Sequence, residues 1–184
     1  MPISAQIIEA IEQLEAQLPA SVLSKEDLST QEKTVCVFDT NALLDILFWR
    51  DPHIAPLSFS LSKKKIVALR SRATMIELLD VLVRPQFAGS LEAALPFLKE
   101  AFALTTPIDE ALLTPEETLT GTLAPSVCRD SDDQKFLDLA FVAQAAFLFT
   151  KDKLVLKAGK KLKKFNLLVV TPEAVSYTHL RAHE

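Results

Sequence analysis

"TVCVFDTNALLDIL", residues 34–47, decides how the chain reads. A short apolar run ends in Asp39, a polar triplet Asp39-Thr40-Asn41 follows, and apolar residues resume at once. The first run is too short for a helix and is rich in valine, so it reads as a buried strand over about 34–39. The second run predicts a helix from about 41 to 49. An acid therefore stands at the seam between a strand and a helix.

Outward from that seam the same alternation recurs. "KIVALRS" (65–71) is a strand, and Ser71 is placed to cap the helix that follows through Met75, Leu78, Leu79 and Leu82. Pro85 ends that helix. Residues 51–62, with Pro52 and Pro56, read as loop or irregular helix. Residues 90–104 form another helical pattern. Residues 105–131 read as connection, with a short helix near 115–120. A helix over 132–145, a strand at 146–150, a short helix near 153–158 and a last strand at 167–170 complete the pattern, and Pro172 opens a final turn. Strands alternating with helices predict a three-layer α/β/α sandwich around a central, mainly parallel sheet. The N-terminal residues 2–18 add an amphipathic helix with Ile3, Ile7, Ile11, Leu14 and Leu18 on one face, expected to pack on the domain, with binding of a partner helix or a second copy as the alternative. Three segments follow: 1–33 as helix and linker, 34–175 as the main domain, and 176–184 as a tail.

Composition sets further bounds. The 184 residues suffice for one sizeable core, and 49% of them are hydrophobic. Three glycines leave no room for a glycine-rich phosphate loop. No apolar run approaches the ~20 residues of a membrane span. The N-terminal stretch lacks a basic region followed by an apolar run, so no secretory signal is expected. Cys36 and Cys128 are expected as reduced thiols, which places the chain in the cytoplasm. Net charge is -4, yet residues 151–164 carry seven lysines and one aspartate. That basic strip suits an anionic partner. Lys63, Lys64 and Lys65 with Arg70 and Arg72 form a second cluster. Trp49 and most phenylalanines are expected in the core.

The acids carry the chemistry. Ligands of open α/β sheets sit beyond the carboxyl ends of the strands. Asp39 and Asp152 lie at such ends. Glu77 lies early in a helix that follows a strand, and Asp130, Asp132 and Asp133 precede another. Each has an ordinary alternative as a cap, a dipole partner or a surface charge. Together they bring carboxylates from four segments to one edge. Two carboxylates ~5 Å apart repel by about 3 kcal/mol at an effective dielectric of ~20. A hard divalent cation would offset this, and an oxygen-only set selects Mg²⁺ or Mn²⁺ over zinc.

The stretches "VFDTNALLDIL", "SRATMIELLDVLVRPQF", "CRDSDDQKFLDLA" and "LFTKDKLVL" resemble the PIN domain in order and spacing, over residues 35–156. Within it they resemble the bacterial group described as toxin components of toxin–antitoxin pairs. The resemblance implies a metal-dependent nuclease acting on single-stranded or structured RNA. It further implies an antitoxin partner and a homodimer. Asp39 looks like the first metal ligand, Glu77 the second acid, Asp133 the third and Asp152 the fourth. Asp130 resembles a motif aspartate that serves either metal or structure. Thr40 and Asn41 resemble supporting motif residues. Arg72, Lys151 and Lys153 are cations placed to contact RNA, and Lys135, flanking the acidic motif, is placed either to pair with its carboxylates or to contact a phosphate of the RNA. Two departures stand out. Leu154 replaces a further aspartate of a T-x-D-x-D arrangement, and Lys151 replaces a common glycine. They leave open an alternative in which the chain is a weak or inactive module that binds RNA or protein. The tail "SYTHLRAHE" (176–184) breaks the composition, and its His179 and His183 are set aside as non-native.

Overall fold

A computed structural model describes residues 3–114 and 132–176 of the chain. Strand β1 (Val35–Phe38) is flanked by β2 (Val67–Arg70) and β4 (Phe147–Phe149). Strands β3 (Thr105–Pro107) and β5 (Leu168–Val170) lie on the outside, in the order β3-β2-β1-β4-β5. Every pair is parallel, with Cys36 opposite both Ala68 and Phe147. The sheet is thus wholly parallel, where a mainly parallel one was expected.

All four residues of β1 are buried. The two-residue period of a strand sends them to opposite faces. Cys36 and Phe38 join one apolar cluster with Ala68 and Phe149. Val35 and Val37 join another with Leu69 and Leu148. Helices α1 (Ile3–Gln17), α3 (Thr40–Leu47), α4 (Ala55–Ser62), α5 (Arg72–Leu82) and α6 (Leu91–Leu104) cover the first face. The second is covered by α7 (Gln134–Val142) and α8 (Lys153–Gly159). These are the three layers expected. Cys36 lies buried, and burial pushes its thiol pKa upward; Cys128 falls outside the described residues.

Several elements differ in detail. The stretch 19–33 contains a short helix, α2 (Lys25–Ser29), closed by a capping box between Ser24 and Asp27. β3 forms within the segment expected as connection, because Thr105–Pro107 can pair with Ala68–Arg70. The possible helix at 115–120 lies outside the described residues. Helix α1 ends at Gln17, so Leu18 escapes the apolar face and is 41% exposed, while Ile7, Ile11 and Leu14 are buried. Trp49 is 58% exposed, with its ring against Phe48 and Phe87 rather than in the core. Arg70 is buried, not a surface cation. Its guanidinium lies 4.3 Å from the Phe102 ring centre and donates to the Phe102 carbonyl at 3.2 Å. Burial pulls its pKa down to about 10.

A last short helix, α9 (Pro172–Ser176), packs on α4. Gly159 ends α8 where the chain passes close to β5. A Cβ there would lie 2.3 Å from Cβ of Val169.

Candidate active site

From β1 the chain moves to β2 and β3 on one side, while β4 and β5 add on the other. The carboxyl ends of β1 and β4 therefore flank the point where strand order reverses, the usual place for a ligand in such a sheet. Asp39 follows β1 there, and Thr150 follows β4. The Asp39 N–H donates to the Phe149 carbonyl at 2.9 Å. Its carboxylate caps α3, with Oδ1 accepting from the Ala42 N–H at 2.7 Å. Oδ2 accepts from the hydroxyl of Thr150. Thr150 is itself fully buried and accepts the Asp152 N–H at 3.0 Å.

Asp39 is only 5% exposed. Burial pushes its pKa up to about 6, against the hydrogen bonds from Thr150 and Ala42 that favour the anion. The negative charges of Asp133 and Glu77 push the same way as burial.

Glu77 reaches this edge from α5. That helix starts at the expected Ser71 cap, in a capping box with Thr74. Both oxygens of Glu77 are engaged. Thr40 Oγ1 donates to Oε1 at 2.6 Å, and the Lys135 ammonium pairs with Oε2. Lys135 also donates to the Asp132 carbonyl. Asp133 stands at the N-cap position of α7 without capping that helix through its side chain. Thr40, Asn41, Glu77, Asp132, Asp133 and Lys135 line one groove of about 800 Å³.

The structure thus brings together Asp39, Thr40, Glu77 and Asp133, with exposed Asn41 at the groove. Other expected residues turn elsewhere. Asp152 caps α8, its Oδ1 accepting from the Leu154 and Val155 N–H groups at 2.7 and 3.0 Å. Arg72 is held by Glu15 of α1 at 2.5 Å. Lys153 is exposed at the start of α8. Lys151 pairs with Asp45, and with Glu173 at 3.0 Å. Asp130 lies outside the described residues.

Two features went unread in the sequence. One is Thr150, whose position in "LFTKDK" is a usable signal once β4 is known to adjoin β1. The other is an acid trio, Asp45, Asp51 and Glu173. Among the described residues these are the acids whose oxygens all lie within 4.8 Å of one another. Asp45 sits inside an otherwise apolar helix, and a buried acid there is a signal for a partner. The partner is Lys151, whose single ammonium offsets part of the trio's charge, while the His53 ring meets Asp51 at 2.9 Å. Asp39, Glu77 and Asp133 are spread more widely, with Glu77 tied to Thr40 and Lys135.

The donors at the sheet edge suit a hard cation. Carboxylates converge from three elements, and no imidazole or thiol of the described residues lines the groove. The electrostatic push of Glu77 and Asp133 on Asp39 is what a divalent cation would relieve.

A family model for the PIN domain matches residues 35–154. Comparison with curated proteins and with solved structures returned no match. Among the described residues no helix is long and apolar enough to cross a membrane.

Proposed function

This chain belongs to the PIN domain family, whose members are in general metal-dependent nucleases, and on that footing we propose that it is a Mg²⁺- or Mn²⁺-dependent endoribonuclease. Its substrate is single-stranded or structured RNA, and Asp39, Glu77 and Asp133 hold the cation. The observation that carries this reading is the buried Asp39 at the switch of strand order, pushed up to about 6 by burial and by two further acids from other elements. A cation bound there would neutralise charge on the phosphodiester and acidify the attacking water.

The chain's own residues have separable tasks. Thr150 and the Ala42 N–H fix both oxygens of Asp39, so its carboxylate is oriented before any ligand arrives. Thr40 does the same for one oxygen of Glu77. The open groove admits a polymer rather than enclosing a small molecule. Asp152 acts through structure in this reading: it caps α8 and bonds through its N–H to Thr150, which orients Asp39. Service as the toxin of a toxin–antitoxin pair and a homodimeric state follow from the family resemblance, and a cytoplasmic location from the expected reduced cysteines. Growth arrest on expression, relieved by Asp39→Asn, tests the toxin role.

The test of the nuclease is cleavage of a mixed-sequence RNA by wild type and Asp39→Asn, with Mg²⁺, Mn²⁺ or chelator. Cleavage that needs both metal and Asp39 is expected. Cleavage indifferent to Asp39 would refute the mechanism. A second reading, a module that binds RNA without cutting, is favoured by one observation: Asp152 spends an oxygen on its helix and Leu154 supplies no carboxylate beyond it. RNA binding without cleavage under every condition would select that reading.

A further inference from the structure

We propose that Lys135 is a built-in counterion of the acid cluster, and that a divalent cation binds only by displacing its ammonium from Glu77. The inference rests on the metal-dependent nuclease reading and adds a device that sets how much cation the site requires. Three observations carry it. Lys135 pairs with Oε2 of Glu77, and the two side chains are about a quarter exposed, 27% and 26%. The same ammonium donates to the Asp132 carbonyl, next to Asp133, so it is tied to two of the segments that supply acids. The other Glu77 oxygen is held by Thr40 at 2.6 Å. Glu77 therefore has each oxygen already engaged, and the one facing Lys135 is held by charge.

The geometry makes the contest one of like charges. A lysine and a divalent cation on the same carboxylate repel each other strongly at a partly buried site. Lysine has a flexible stem and can swing its head into the groove it already lines. Arg84 lines the same groove, but it is paired with Asp80 at 2.7 Å on α5. Lys135 is thus the cation that meets Glu77. With the lysine in place the cluster is partly balanced, which lets α5 and α7 pack with their acids facing one another. Once displaced, the ammonium remains in the groove that the RNA occupies.

The experiment is Mn²⁺ binding to the full chain, followed by titration calorimetry, for wild type, Lys135→Met, Lys135→Gln, Lys135→Arg and Asp39→Asn. Loss of one partly exposed ion pair corresponds to about a two- to fivefold change in affinity. Lys135→Met and Lys135→Gln are expected to bind Mn²⁺ about two- to fivefold more tightly, and Lys135→Arg close to wild type. Gln keeps a hydrogen-bonding head, so it guards against misfolding of the Met variant; circular dichroism confirms the fold of each. Unchanged or weaker binding in both neutral variants, with wild-type binding still dependent on Asp39, would overturn the counterion role alone. Absence of Asp39-dependent Mn²⁺ binding in wild type would overturn the metal-site reading and this inference with it.

Discussion

Replacing Asp39 by Asn should make the metal-free protein more stable at neutral and alkaline pH. Asp39 ionises with a pKa raised to about 6 from the ordinary 3.8. A rise of that size corresponds to about 3 kcal/mol against the folded state once both states are ionised. The folded state holds its proton more tightly than the unfolded one. The contribution of Asp39 to stability is therefore fully present below about pH 4 and is lost as pH rises through 6. Asn removes the charge yet still caps α3, since its carbonyl can accept the Ala42 N–H. It gives up the Thr150 hydroxyl as a donor to an anion, at a cost of about 1 kcal/mol. The net gain at pH 8 is about 2 kcal/mol, or a midpoint about 4–8 °C higher for a chain of this size. Urea unfolding followed by circular dichroism, with chelator present, at pH 8, 6 and 4.5, measures it. The advantage of Asn should shrink steadily toward the lowest pH. A variant less stable than wild type at pH 8, or a difference that ignores pH, would show that Asp39 carries no charge penalty and would refute the electrostatic account of the site.

Thr150→Val leaves one Asp39 oxygen and the Asp152 N–H without their shared partner, so it should cost about 1–3 kcal/mol, read by the same urea unfolding. It should also weaken Mn²⁺ binding by misaligning Asp39. Lys151→Met strips the Asp45, Asp51 and Glu173 trio of its ammonium. A loss of about 1–2 kcal/mol at low salt is expected, smaller at high salt, and thermal melts with Ca²⁺ should recover more stability in this variant than in wild type. Gly159→Ala drives a methyl into Val169 and should cost about 1–3 kcal/mol in denaturant unfolding, with nuclease activity per folded molecule unchanged.

Much of the architecture is a local matter and is visible without coordinates. The runs at 35–38 and 66–69 are apolar and short, so each reads as a buried strand. Ser71 announces α5 because its hydroxyl can meet the Thr74 N–H three residues on. Asp39 follows directly from the end of β1, and the carboxyl edge shared by parallel strands is why it could be grouped in advance with Glu77, with Asp130, Asp132 and Asp133, and with Asp152; Glu77 and Asp133 reach that edge from helices, while Asp152 caps α8. β3 was hidden because Thr105–Pro107 has no apolar run, and its identity comes only from pairing with β2. α2 was hidden because none of its residues is buried, leaving only the capping box to mark it.

What the sequence alone determined, then, is the order of strands and helices and the edge on which Asp39 emerges, because those depend on hydrophobic period and on neighbours a few positions away; burial was legible only in part, since Trp49 and Leu18 lie exposed and Arg70 buried. Tertiary structure decided which groups those carboxylates meet. Thr150 serves Asp39 from 111 residues away, a contact that exists only because β4 lies beside β1. Lys135 reaches Glu77 across 58 residues, and Lys151 turns from the groove to Asp45. A side chain a few ångströms long takes the nearest opposite charge or donor, and strand order, not chain order, sets what is near.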